Sequence, residues 1–124
     1  MVDELDMKEP VDLVGYGVQW QEHGGGVFPY FTWRWNGMRY YAPANLITSE
    51  FVYSDEFLRV TANPGQGKGG STFGDSGSPA LLAGTNKILG VTSWVHNWNC
   101  AGVTYYNRID IQEILDWIRG YIGP

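Results

Sequence analysis

The segment whose residue types and spacing bear most directly on chemistry is Gly74-Asp75-Ser76-Gly77-Ser78-Pro79. It sets a hydroxyl between two glycines in a sharp turn, since glycine adopts backbone conformations closed to other residues. With no Cβ nearby, a substrate backbone can come close and neighbouring amide hydrogens can be aimed at one point. Paired amides of that kind stabilise the oxyanion of an acyl-transfer intermediate. The same string also suits an ordinary Gly/Ser turn ahead of a strand, and the six residues alone leave both readings open.

The elements around it must hold that turn in place. Residues 1–10 read as a polar, acidic lead-in, and 11–124 as a single domain. Val11–Trp20 reads as a strand interrupted by Gly15 and Gly17, and His23-Gly24-Gly25-Gly26 as a loop. Val27–Trp35 and Met38–Ala42 flank Asn36-Gly37, a dipeptide whose tolerance of positive φ predicts a hairpin between those two runs. Phe51–Tyr53 and Phe57–Ala62 are further short strands, and Asn63–Gly77 is a long glycine-rich loop. Pro79–Ala83 and Ile88–Trp94 form a hairpin across Gly84-Thr85-Asn86-Lys87, and Val103–Ile109 is a last strand. The chain then turns helical from about Asp110 to Tyr121. Asp110 stands where a cap belongs, Glu113 where a capping-box acid belongs, and Ile111, Ile114, Leu115, Ile118 and Ile122 make one apolar stripe. The pattern predicts an all-β fold: an antiparallel barrel of six or seven strands with the helix packed on its outside.

Composition agrees. Hydrophobic residues are 44% and charged residues 17%, which fits a folded domain. Seventeen glycines and 15% aromatics fit short strands joined by tight turns. Eight basic against 13 acidic residues give a net charge of −5, which disfavours nucleic acid or an anionic membrane as partner. No apolar run approaches the ~20 residues of a membrane span. The start, Met1-Val2-Asp3-Glu4-Leu5-Asp6, has no apolar segment and does not read as a signal peptide. A single cysteine, Cys100, excludes an internal disulfide.

Other chemistries fit poorly. Gly65-x-Gly67-x-x-Gly70 matches a dinucleotide fingerprint in spacing, but Gly77 and Pro79 intervene where a helix should follow. Lys68 precedes a glycine rather than Ser or Thr, so no phosphate-binding loop is present. Two histidines and one cysteine without close spacing make no metal site, and no cofactor is expected. The aromatic run Phe28–Trp35 suits stacking on bases or sugars, yet fits a hairpin with one face in a core better.

Gly74–Pro79 resembles the nucleophile motif Gly-Asp-Ser-Gly-Gly-Pro of the chymotrypsin/trypsin-like serine proteases, with Ser78 in place of the second-last glycine. The resemblance implies a Greek-key barrel, the second of that family's two, and a serine endopeptidase mechanism. Ser76 would be the nucleophile, the amides of Gly74 and Ser76 the oxyanion hole, and Asp75 an inward acid paired with a buried cation. In the family that cation is often a freshly cut N-terminal amine; here Arg34, Arg39 and Lys68 are the substitutes. Ser93-Trp94 looks like the pair that holds extended substrate backbone and walls the primary specificity pocket. Gly102-Val103 is similar to the far pocket wall, Val14-Gly15-Tyr16-Gly17 to the first strand of the second barrel, and Ile109–Ile122 to the C-terminal helix. Asn63–Gly67 looks like the bacterial branch. The match covers roughly residues 11–122.

The departures carry as much weight. In the family, histidine and aspartate come from an N-terminal barrel upstream of everything in this sequence. His23 and His96 both fall in predicted loops and match neither role. Thr72 stands where a cysteine is usual, which leaves Cys100 without its implied partner. Val95 follows Trp94 where a glycine is usual and should narrow the pocket entrance. Gly70, six residues before Ser76, and Ser71 occupy the pocket floor and carry no charge, so a preference for Lys or Arg is not expected. The sequence therefore implies the nucleophile-bearing half of an endopeptidase, inactive until a His/Asp-bearing barrel joins it. The alternative is a non-catalytic barrel serving as scaffold or binding module. Partners expected are a peptide substrate and either that complementary barrel or a second copy of the chain. The family is typically secreted, but without a signal or a disulfide the location stays unassigned.

Overall fold

The computed structural model of the chain describes residues 5–27, 30–47 and 55–123. It has eight strands and a terminal helix: β1 Pro10–Gly15, β2 Trp20–Gly24, β3 Tyr30–Arg34, β4 Tyr40–Ile47, β5 Phe57–Ala62, β6 Pro79–Leu82, β7 Ile88–Val95, β8 Gly102–Arg108 and α1 Gln112–Ile122. Six strands close an antiparallel barrel in the order β1-β4-β5-β8-β7-β6, with β6 returning to β1. β2 and β3 form a separate two-stranded sheet.

The period-two pattern of the strands explains the closure. In β5, Leu58, Val60 and Ala62 are buried while Phe57, Arg59 and Thr61 stand between them. β1 buries Val11 and Leu13, and β4 buries Ala44 and Leu46. Apart from Ala62, these buried side chains join Ala80, Leu89 and Tyr106 in one core. Gly90 belongs to this arrangement because a Cβ there would lie 2.7 Å from the Asn107 carbonyl oxygen and 2.9 Å from Leu58. The lead-in is tied to the barrel: Lys8 N–H donates to Leu46 O at 3.0 Å, Leu46 N–H donates to Glu9 O at 2.9 Å, and Leu5 packs on the core.

Three expectations need correction. Asn36-Gly37 does not join a hairpin. Tyr30–Arg34 pairs with Trp20–Gly24, and β4 pairs with β1 and β5. The turn itself forms, with Gly37 at φ +74° and Asn36 Oδ1 accepting from Met38 N–H at 3.0 Å, but it passes the chain between two sheets. His23 accordingly sits in β2 rather than in a loop. Asp110 does not cap the helix, whose N-cap is Ile111 without a side-chain hydrogen bond. Its carboxylate is held by the Arg108 guanidinium through two bonds of 2.9 Å, and a buried ion pair of that geometry outcompetes a cap. The expected C-terminal helix is present, although no residue of α1 is buried. A groove of about 760 Å³ lies between its Ile114–Trp117–Ile118 face and Val91 and Ile109 of the barrel side, so the helix sits against the barrel loosely. The predicted strand at Phe51–Tyr53 and the Phe28-Pro29 portion of the aromatic run lie outside the described residues.

Candidate active site

The loop 72–78 is fastened to the barrel at both ends. Gly77 N–H donates to Thr92 O at 3.1 Å, and Thr92 returns both its N–H and its hydroxyl to Ser78 O, at 2.8 and 2.9 Å. Within the loop, Asp75 N–H donates to Thr72 O at 3.1 Å and Ser78 N–H to Asp75 O at 2.9 Å. Gly74 and Gly77 take φ of +95° and +87°, the left-handed region in which only glycine is unstrained.

Asp75 is buried at the centre of this loop. Its Oδ1 accepts from Gly17 N–H at 2.7 Å, and its Oδ2 accepts from Thr72 N–H at 2.8 Å. The Thr72 hydroxyl lies 3.2 Å from Oδ2 and donates to Val18 O at 2.7 Å. The carboxylate thus lies directly across the backbone of residues 15–17. A Cβ on Gly15 would stand 1.9 Å from Oδ1 and one on Gly17 2.5 Å from Oδ2, which is why both positions are glycine. Among the described residues, the partners of this carboxylate are neutral donors. Arg34, one of the expected cations, pairs instead with Glu22 at 2.6 Å on the β2–β3 sheet. The spacing Gly15-x-Gly17 was the available sequence signal for this packing. A cavity of about 40 Å³ opens beside Asp75, bounded by Leu13, Gly15, Ala42 and Ser71 among others.

Ser76 is exposed. Among the described residues, neither its hydroxyl nor its amide, nor the amide of Gly74, is engaged in a hydrogen bond within the protein. These unused donors flank an amide, that of Asp75, which is used. His96 is exposed at the end of β7, where its backbone N–H donates to Val103 O at 3.0 Å, and His23 is exposed opposite Phe31.

Of the candidate pocket residues, Ser93, Trp94 and Val95 lie on β7 and Gly102 at the start of β8, while Gly70 and Ser71 lie in the loop ahead of Ser76. Gly70 packs on Ala62, so closely that a Cβ there would lie 2.3 Å from the Ala62 Cβ. The buried Ser71 hydroxyl is hydrogen-bonded to that of Tyr106. Burial pushes the Tyr106 phenol above its ordinary pKa, against the opposing pull of hydrogen bonds with Ser71 and Thr92. The ladder between β7 and β8 shifts register between Thr92 and Trp94, so Ser93 falls at a bulge. Trp94 stacks on Tyr105 with centroids 3.7 Å apart and planes 3° from parallel, and Phe57 meets it edge-on at 6.5 Å. Val95 is paired with Thr104, and Gly102, at φ +97°, is exposed opposite Ala62. Thr104, across from Val95, is fully buried.

Cys100 is a free, buried thiol. Burial raises its pKa, partly offset by a backbone hydrogen bond from Phe73, while nearby Asp75 adds to the rise. No group of three or more His, Cys, Asp or Glu residues able to hold a metal ion occurs among the described residues. No helix there is long and apolar enough to cross a membrane.

A closed six-strand barrel with a C-terminal helix and a Gly-Asp-Ser-Gly turn at its mouth defines a trypsin-like domain. The trypsin family model matches residues 3–118, and the chain belongs to that family. Its fold is shared by human heparin binding protein, at 18% identity and a TM-score of 0.67, with 97% of this chain and 47% of that one covered. A doubly substituted variant of the same human protein matches at 19% identity and TM-score 0.69, covering 95% and 45%. A singly substituted one matches at 18% and 0.69, covering 97% and 48%. The chain therefore spans less than half the length of these structures. Comparison with curated proteins finds no match.

Proposed function

We propose that this chain is the nucleophile-bearing half of a serine endopeptidase, completed by a second barrel that supplies histidine and aspartate. The observation that carries this reading is the Ser76 loop. An exposed hydroxyl stands beside two amides, of Gly74 and Ser76, that no acceptor within the described protein uses, while every neighbouring amide from Asp75 to Ser78 except that of Ser76 is committed. On a glycine turn held in place by Asp75, two unengaged amides beside a hydroxyl are the arrangement that an oxyanion needs.

In the proposed reaction Ser76 Oγ attacks the carbonyl carbon of a peptide bond, and its proton passes to the imidazole of the complementary barrel. The carbonyl oxygen, now negative, accepts hydrogen bonds from the Gly74 and Ser76 amides. The C–N bond breaks as the imidazole returns the proton to the departing amine, leaving an ester on Ser76 that water hydrolyses by the same path. Asp75 holds the loop in shape by its bonds to Gly17 and Thr72 and touches no substrate atom. Exposed Phe73, close to the motif, and exposed Tyr16, Tyr40 and Tyr41 around the β1–β4 end give the partner an apolar surface to cover.

The test mixes the chain with a His/Asp-bearing barrel of a trypsin-like protease and measures both peptide cleavage and Ser76 labelling by a fluorophosphonate. Cleavage and labelling that appear only in the mixture, and vanish in Ser76→Ala, are expected. The chain alone should be inert, because losing a triad member costs on the order of 10⁴–10⁶ in rate. Persistent inactivity in a mixture shown by light scattering to be associated defeats the proposal in favour of a binding module. The structural neighbours include a protein named for heparin binding, but a net charge of −5 argues against a polyanion as this chain's ligand.

A further inference from the structure

With Ser76 as the nucleophile, the amide of Gly74 is one of two donors offered to the oxyanion, and its direction is set from outside the loop. That N–H belongs to the same peptide unit as the Phe73 carbonyl. The unit is trans and planar, so its N–H and C=O point in opposite directions. The Phe73 oxygen accepts from Val18 N–H, just ahead of β2, at 2.9 Å, and this turns Gly74 N–H away from Val18. The peptide units on either side are tied down by other groups. Phe73 N–H, in the preceding unit, donates to the Cys100 sulfur. Asp75 N–H, in the following unit, donates to Thr72 O at 3.1 Å. Among the described residues, the Phe73–Gly74 unit itself has a single hydrogen bond, the one from Val18. A unit held through one oxygen can turn alone, by opposite rotations about the Phe73 Cα–C and Gly74 N–Cα bonds. Glycine leaves the second rotation open because it takes φ of either sign at little cost, and Gly74 sits at +95°. Val18 is in turn well anchored. Its carbonyl accepts from the Thr72 hydroxyl at 2.7 Å, and its neighbours donate through Gly17 N–H to Asp75 Oδ1 at 2.7 Å and Gln19 N–H to Arg34 O at 2.9 Å.

We infer that Val18 is a positioning residue for the proposed reaction: its backbone N–H, acting through Phe73 O, holds the Gly74 amide where the oxyanion forms. The inference rests on the endopeptidase reading of Ser76. Val18 touches no reacting atom, and its side chain takes no part. A hydrogen bond to a carbonyl also polarises the N–H at the other end of the same peptide unit, which makes Gly74 the better donor. The negative oxygen exists only at and near the transition state, so this bond acts on kcat and leaves KM alone.

The test removes one N–H and nothing else. Chemical synthesis of the chain places an ester where the Gly17–Val18 amide stands. The control carries an ester at Leu81–Leu82, which removes the bond from Leu82 N–H to Lys87 O, also 2.9 Å long, in the β6–β7 hairpin. In the mixture with a His/Asp-bearing barrel, the Val18 ester should lower kcat by about tenfold to a hundredfold with KM unchanged. The control ester should match the unmodified chain. An unchanged kcat in the Val18 ester, or an equal loss in both esters, overturns the inference. NMR of the isolated chain judges it without catalysis. The unmodified chain should show a scalar coupling between Val18 15N and the Phe73 carbonyl 13C, and a single sharp Gly74 amide signal. The Val18 ester should broaden or double the Gly74 signal while those of Gly77 and Ser78 stay sharp. A missing coupling in the unmodified chain overturns the inference even if the ester fails to fold, as does a Gly74 signal that the ester leaves unmoved. Absence of cleavage by the unmodified mixture defeats the endopeptidase reading, while the NMR measurements still judge what holds the Gly74 amide.

Discussion

The Ser76 loop and the β2–β3 sheet touch one another, yet they are held in different ways. The loop has little regular structure, but its conformation is fixed by a buried carboxylate, two left-handed glycines and a double clamp onto Thr92. The β2–β3 sheet is regular, five residue pairs long, but stands outside the barrel with Trp20, Tyr30 and Trp35 exposed. It joins the loop through the Val18 N–H to Phe73 O bond, 2.9 Å, and through Trp33, whose ring meets Phe73 edge-on at 5.5 Å. Regularity and rigidity are thus separate properties here. What fixes a backbone is how many of its polar groups are committed to buried partners, whatever its secondary structure.

That contrast can be broken most strongly at Asp75. Asp75→Ala leaves the amides of Gly17 and Thr72 without their acceptor and should cost on the order of 4 kcal/mol, read as a lowered midpoint in urea with an unchanged slope. Gly17→Ala attacks the same contact from the other side. Its new methyl group would stand 2.5 Å from both the Asp75 carboxylate and the Thr72 hydroxyl, for a loss of about 2 kcal/mol in the same measurement. On the sheet side, Trp33→Ala removes the ring contact with Phe73 and should cost about 1 kcal/mol, with amide exchange quickening in residues 20–34 before the loop is affected. A Trp33 effect as large as that of Asp75 would show that the sheet braces the loop.

The smallest effect expected lies at the exposed pair of Glu22 and Arg34. The Arg34 hydrogen bond, aided by that from Trp20, holds the Glu22 carboxyl below its ordinary pKa. A depressed carboxylate contributes above its unfolded pKa and loses that contribution as pH falls through the folded value. NMR titration should therefore place the Glu22 midpoint below that of a free glutamate. Glu22→Gln should leave the thermal midpoint unmoved, since exposed pairs count for little.

What was legible in the sequence follows the range of the interactions. Phe57–Ala62 and the hairpin of Pro79 and Ile88 could be read because strand alternation and a tight turn are local signals. The six-strand barrel followed from short strands and the family resemblance. The partner of Tyr30–Arg34 could not be read, because period-two alternation says which face is buried but not which strand lies alongside. Asn36-Gly37 then pointed to the nearest neighbour, whereas the pairing runs backward to Trp20–Gly24. Asp110 looked like a cap because the competing Arg108 fork is a tertiary contact. The residue of β8 that faces Val95 was hidden for a subtler reason. The register shift between Thr92 and Trp94 decides which residue of β8 faces Val95, and a one-residue bulge leaves no mark in composition.

Closure of the barrel has a consequence for self-association. β1 pairs with both β4 and β6, so the ring of six strands presents no unpaired rim. Among the described residues, the free hydrogen-bonding edges of regular sheet belong to β2 and β3, whose two-stranded order leaves each with one open side. Open edges are templates for adding foreign strands, and proteins usually guard them with charge or proline. Here the guards are Glu22 and Arg34, which neutralise each other across the ribbon. Fibre growth or strand exchange between copies would therefore start at this ribbon, and a lysine placed at Thr32 or Gln21 is the substitution that should suppress it.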